Sequence, residues 1–196
     1  MHFRRLASFI LGAWLAGCVF MDMVATQNFH AIDRMLASPP AYAAKQIQEM
    51  GGPGQARVLL RYQASEINRL LFENWERVQL FLAVLLFMIF LFGSNSGKFS
   101  LFCAVAMLLI VVAERFAITP FMIRLGRAID FLPVDADSSQ RSQFWALHTA
   151  YSATEMVKIA IGAALAVKLV LWAGRKSRAR DKIDLVDEPD HSHIDR

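Results

Sequence analysis

Residues 78–113 read VQLFLAVLLFMIFLFGSNSGKFSLFCAVAMLLIVVA, and this stretch decides the fold. Val78 to Phe92 and Phe99 to Ala113 are apolar runs of fifteen residues each, neither holding a charge. Between them Gly93-Ser94-Asn95-Ser96-Gly97-Lys98 forms a tight polar turn, which makes the two runs antiparallel helical neighbours. A membrane span needs about 20 apolar residues, with ~17 as the lower limit. Each run reaches that length by borrowing from its flank. Trp75 extends the first backwards to a span of about 75–92, and the second continues through Glu114 and Arg115 to a span of about 99–119.

Two further runs lie outward. Leu6 to Thr26 is interrupted only by Asp22 and predicts a span over about 6–26. Ser152 to Leu171 contains Glu155, Lys158 and Lys168 and predicts a span over about 150–172, its charges near the ends reaching the interface by snorkelling. Composition agrees: 56% of the 196 residues are hydrophobic and 19% charged, with fifteen Phe and nine Met. Soluble core helices account poorly for four such runs in so short a chain. The fold class expected is therefore all-α, a four-transmembrane-helix antiparallel bundle over residues 1–174. Residues 175–196, basic and then acidic, are expected to form a disordered tail.

The remaining connections carry clear breaks at Pro39-Pro40 and at Gly51-Gly52-Pro53-Gly54. After Gly54, apolar Val58, Tyr62, Ile67, Leu70 and Leu71 alternate with Glu66, Arg69, Glu73, Glu76 and Arg77 at three- and four-residue spacing. This predicts an amphipathic helix extending the second span, its charges forming a solvated face. Pro120 should bend or end the third helix, and Leu132 to Gln143 should be a polar loop.

At the N-terminus, Met1 to Arg5 followed by Leu6 to Ala16 has the basic and apolar regions of a signal peptide, and Leu15-Ala16-Gly17-Cys18 resembles a lipoprotein box. The apolar sequence continues past Cys18 through Val19-Phe20-Met21, which favours an uncleaved span. Cys18 and Cys103 lie near opposite ends of their runs and do not suggest a disulfide. Five basic residues from Arg175 to Lys182 stand against the single acid Asp181, a pattern suited to anionic lipid headgroups rather than nucleic acid. With Arg4, Arg5 and Lys98 they place both termini on the cytoplasmic side of a membrane such as the bacterial inner membrane. His191 and His193 form too small a set for a metal site.

An up-down-up-down arrangement puts Asp22, Glu73, Glu76, Arg77, Glu114, Arg115, His148, Glu155 and Lys158 at one level. Ionisable groups there should point inward and pair. The candidate polar layer is Glu114, Arg115, His148, Ser152, Glu155 and Lys158, with His148, Ser152 and Glu155 sharing one side of the last helix and Arg115 the natural partner of Glu155. Such a layer can be a binding pocket or a set of ion pairs fixing helix register. Small residues at Gly12/Ala16, Ala13/Gly17 and Gly162/Ala166 should let helices approach closely. No catalytic motif is present, so the chain is read as leaning away from enzymes, with no cofactor assigned.

Glu114-Arg115, Thr119-Pro120 and Phe144-x-x-x-His148-x-x-x-Ser152, together with Gly12-Ala13-Trp14, resemble the transmembrane protein 205-like family of small four-span membrane proteins. The likeness covers most of the chain to about Trp172, with Trp14, Pro120 and Phe144 as structural motif positions. It departs in the loop before Phe29 and in the insert from Pro39 to Gly54. The family has no settled biochemical activity. The resemblance implies the architecture and leaves two functional readings. The first is a membrane protein that binds or scaffolds a lipid, a small molecule or a partner helix, with self-association included. The second is a redox, metal, haem or transport protein using the polar layer around His148.

Overall fold

The structure is a computed structural model that describes residues 2–93, 97–132 and 138–186, with side chains described for 3–93, 97–132 and 138–171. The described residues form helices joined by short turns, without strands. The helices are α1 (His2–Ala37), α2 (Ala41–Glu49), α3 (Pro53–Phe92), α4 (Lys98–Ala113), a π-helical turn (Glu114–Ile118), α5 (Thr119–Ile129) and α6 (Ser139–Val186). Three stretches are long and apolar enough to cross a bilayer, Phe3–Ala37, Pro53–Phe92 and Lys98–Ile129, as in a multi-pass integral membrane protein. In α6 Glu155, Lys158 and Lys168 interrupt the apolar run.

Contacts between helices fix their directions. Cys18, Asn28 and Asp33 of α1 meet Gln79, Asn68 and Arg61 of α3, so α1 and α3 run antiparallel. Thr119 meets Glu76 although α4 starts at Lys98, six residues after α3 ends at Phe92, so α3 and α4–α5 are antiparallel too. Glu114 and Ser100 meet Lys158 and Lys168, which sets α6 antiparallel to α4. Leu11 and Leu15 of α1 lie against Gly162 of α6 and close the ring.

The seams follow a three-four repeat. Buried positions are Ala7, Leu11, Trp14 and Cys18 in α1; Glu76, Gln79, Ala83, Leu86 and Phe90 in α3; and Tyr151, Glu155, Lys158, Gly162, Leu165 and Leu169 in α6. That period of 3.5 keeps one stripe of a helix facing its neighbours at the shallow crossing of bundles. The apolar part of these stripes, joined by Ala104, Met107 and Val111 of α4, forms the main core.

α1 and α3 outrun the apolar core. At 1.5 Å per residue, the 40 residues of α3 make roughly 60 Å, about twice the hydrocarbon thickness. The first helix therefore ends at Ala37 rather than near Thr26, where only the apolar run ends. The extra length pairs α1 with α3 by polar contacts: Asn28 to Asn68 at 2.6 Å, Asn68 to the Ala25 carbonyl at 3.1 Å and Arg61 to Asp33 at 2.8 Å. A small apolar cluster of Ile32, Leu36, Ile47, Ala56 and Ala64 holds α2 against this extension.

Both predicted breaks occur. Pro39 and Pro40 stop α1, because proline lacks the N–H and restricts the residue before it, and Pro40 then caps α2. Gly51 and Gly52 adopt φ of +97° and +91°, a region that favours glycine, and Pro53 opens α3. Pro120 does not end the third rod. Its ring would crowd the carbonyl four residues back, and the backbone widens into the π-turn immediately before it. The loop expected to Gln143 closes earlier, since α6 starts at Ser139. Residues 175–186, expected to belong to a disordered tail, are helical: good helix formers carry α6 through the basic cluster to Val186. Residues 187–196, with His191 and His193, lie outside the described residues.

Small residues act at only part of the expected positions. Gly12, Ala13 and Ala16 face outward, and a Cβ on Gly12 would meet nothing within 4 Å. Gly17 receives the Trp75 ring, with Cζ2 2.8 Å from where a Cβ would stand, and Gly162 receives Leu15 at 3.0 Å. Gly17→Ala should therefore cost roughly 1–3 kcal/mol by overpacking, read as a lowered melting temperature in detergent. Gly12→Ala should be neutral or stabilising by up to ~1 kcal/mol, the ordinary helix gain over glycine.

Candidate functional site: a buried ionic layer

The seam residues at the end of the apolar core are polar. α6 turns Tyr151, Glu155 and Lys158 inward at spacings of four and three, so they lie on one face. α3 contributes Glu76 and Gln79, the π-turn Glu114 and Arg115, α5 Thr119 and α1 Cys18. Lys158 is 1% exposed, and Glu76, Gln79 and Glu114 are wholly enclosed. The π-turn sets this register. Val111, Glu114 and Thr119 are buried in succession, and the last step of five residues brings Thr119 rather than Ile118 to Glu76.

Lys158 Nζ donates to Gln79 Oε1 at 2.5 Å, Glu114 Oε2 at 2.5 Å and Glu155 Oε1 at 2.9 Å. An ammonium has three protons, and all three are used. Glu155 Oε1 also accepts from Gln79 Nε2 at 3.1 Å and from the Tyr151 hydroxyl at 3.3 Å. Gln79 thus offers its carbonyl to the cation and its amide to the anion, which binds α3 to α6, and its Nε2 lies 4.0 Å from Cys18 Sγ. Beside this group the Thr119 hydroxyl donates to Glu76, whose other oxygen is 3.7 Å from Arg115 Nη1.

Of the residues picked out by sequence, Glu114, Glu155 and Lys158 come together, and Arg115 joins them at the edge with 24% of its side chain exposed. The expected Arg115–Glu155 pair is replaced: Arg115 faces Glu76, and Glu155 pairs with Lys158 one helical turn along. His148 and Ser152 are not in the layer. Both are exposed, with Ser152 Oγ donating to the His148 carbonyl at 2.9 Å and the His148 ring stacked 6.0 Å from Phe144. The buried stripe passes through Tyr151, and the next residue points about 100° away on a helix. Asp22 is exposed as well. Among the motif positions, Trp14 is fully buried, Pro120 is exposed and Phe144 is half-buried, packed where a Cβ on Gly126 would stand.

Gln79, Thr119 and Tyr151 belong to the layer and stand outside the sequence candidates; Glu76, placed at this level by the sequence but also given to the solvated face of α3, belongs to it as well. The available signal was the three-four repeat: Glu76 and Gln79 continue the Ala83, Leu86, Phe90 stripe, and Tyr151 continues Glu155 and Lys158. Glu76 therefore leaves the solvated face assigned to it. Its neighbours on α3 do make ion pairs, Arg77 with Glu73 at 3.7 Å and Arg69 with Glu66 at 2.5 Å. Arg69 also clamps Asp130 with two bonds of 2.8 and 2.7 Å, tying the extension of α3 to the end of α5.

Among the described residues no three His, Cys, Asp or Glu side chains are grouped to hold a metal ion. What the layer can do is hold charge inside an apolar assembly and join three rods through one cation. Lys158→Met should cost roughly 3–5 kcal/mol of unfolding free energy in detergent, because Glu155 is left buried without its cation. Adding Glu155→Gln should recover more than half of that loss; no recovery in the double variant would mean that the two do not act as a pair. Comparison of the chain with family models, with curated proteins and with solved structures matched none of them.

Proposed function

We propose that the chain is a four-span integral membrane protein in which α6 is the fourth span. The observation that carries this reading is the division of α6 into two faces. From 152 to 171 its outward residues are Ser152, Ala153, Met156, Val157, Ala160, Ala163, Ala164, Val167, Val170 and Leu171, apolar except for the first. Glu155 and Lys158 point inward and are paired, and Lys168 reaches Ser100 Oγ at 3.1 Å and lies 4.7 Å over the Phe99 ring. A helix whose charges are satisfied inside presents lipid with an apolar surface whatever its average hydropathy. Exposed Phe9, Phe20, Phe81, Phe92, Phe102 and Phe116 continue that surface on the other rods.

In this reading the protein is not an enzyme; it binds or scaffolds a lipid, small molecule or partner helix through its apolar perimeter and its buried layer. The likeness of its motifs to the transmembrane protein 205-like family supports the four-span architecture. The redox, metal, haem or transport alternative drew on the polar layer around His148, and His148 itself lies outside that layer, on the exposed side of α6. Basic residues at both termini and at Lys98 favour a cytoplasmic location for the termini and the 93–98 turn.

Topology reporters test the proposal. A reporter after Arg196 and one in the 93–98 turn should give the same, cytoplasmic signal, and one within 133–137 the opposite signal. Opposite signals from Arg196 and the 93–98 turn would leave three spans.

A further inference from the structure

The charges of the buried layer do not balance. The Lys158 ammonium faces Glu114 from the π-turn and Glu155 from its own helix, while Arg115 faces Glu76 of α3. The other groups turned to the layer are Cys18 of α1, Gln79 of α3, Thr119 of α5, and Tyr151 and Thr154 of α6; Asp22 of α1 lies one turn beyond Cys18 on the exposed surface. Three carboxyl groups therefore share two cations, and the surplus falls on the pair around Lys158.

Hydrogen bonding shows which carboxyl group carries it. Glu155 Oε1 receives three donors, the environment of an ionised carboxylate. Lys158 has no further proton to give. Glu114 is wholly enclosed; its Oε2 takes one bond from Lys158, and its Oε1 has no hydrogen-bond partner. Glu76 Oε2 lacks a hydrogen bond as well, but it has the Arg115 guanidinium 3.7 Å away to balance its charge, which Glu114 Oε1 does not. An enclosed carboxylate oxygen without a donor is unfavourable, and a proton on Glu114 removes the surplus charge while leaving Oε2 free to accept from Lys158; the proton needs an acceptor in turn, and Thr154, whose hydroxyl already donates to the Tyr151 carbonyl, stands beside Glu114 with an oxygen able to accept it. A metal cation would need several ligands, and among the described residues no such grouping exists. Glu114 also opens the π-turn, a backbone irregularity that often marks functional positions.

We propose that Glu114 is a proton-binding site, holding one exchangeable proton on Oε1 at neutral pH. The step is the simplest possible: the carboxylate takes a proton from water and becomes the neutral acid, and no other bond changes. Release of that proton returns an uncompensated negative charge to the layer and loosens the contact of α6 with the break between α4 and α5. Proton occupancy of one side chain is thereby coupled to the packing of two rods. The inference depends on burial of these residues and holds whether or not α6 crosses the membrane.

Infrared spectroscopy of the full chain in phosphatidylcholine vesicles at pH 7 reads the proton directly. The expected result is a protonated-carboxyl C=O band that disappears in Glu114→Gln, persists in Glu76→Gln and is unchanged when sodium replaces choline in the buffer. Glu114→Gln, whose amide mimics the neutral acid, should keep the wild-type melting temperature, whereas Glu155→Gln should lower it. Absence of the band in the wild type, its survival in Glu114→Gln, its loss on adding sodium, or failure of Glu114→Gln to fold would each overturn the assignment.

Discussion

The Lys158 ammonium, enclosed among four rods, is the constraint to which the rest of the structure answers. A bare cation in an apolar interior is prohibitively unfavourable, so the helices that surround it must supply acceptors at fixed positions. Glu155 does so from the same helix, Gln79 from α3 and Glu114 from the π-turn. Each acceptor fixes both the rotation and the axial position of its rod. A one-residue slip of α3 would turn Val78 or Leu80 toward the ammonium in place of Gln79, and a slip at the π-turn would bring Ala113 or the second cation Arg115. The π-turn follows from the same demand, because it lets Glu114 and Thr119 face the layer while Pro120 is accommodated without a break.

Away from the layer, shape does the work. Lipid tails are as apolar as leucine, so burying apolar surface gives little net drive for helices to associate in a bilayer, and close packing and polar contacts take over. Gly17 beneath Trp75 and Gly162 beneath Leu11 and Leu15 are the points where one rod settles into another. The main core is correspondingly narrow, one stripe per helix, and large aromatic side chains are spread over the outside. That distribution inverts the pattern of a water-soluble bundle.

Beyond the core the same helices change chemistry without changing backbone. α1 and α3 continue as a pair joined by Asn28–Asn68 and Asp33–Arg61, and α3 is tied to α5 through Arg69 and Asp130. In a wet environment exposed ion pairs contribute little. The Arg69–Asp130 contact differs, since the Asp130 side chain is 7% exposed and is held by two bonds. It orients the extension relative to the end of α5.

The sequence by itself determined the all-helical character, the three long apolar rods and most of their breaks, because these depend on local properties: run length, the missing N–H of proline, the backbone freedom of glycine. It also identified Glu114, Glu155 and Lys158, since charges inside apolar runs must be satisfied somewhere. Which face of each helix turns inward was decided only by the tertiary structure. Ser152 and Tyr151 both stand within one turn of Glu155, and local spacing favours neither. The neighbours chose Tyr151, leaving Ser152 and His148 outside and giving Arg115 to Glu76. Gln79, the partner of Glu155 on α3, lies 76 residues away in the chain, and local spacing carries no information across that distance. The π-turn, which depends on Pro120 and on what Glu114 and Thr119 must reach, likewise emerges only when the rods are packed together.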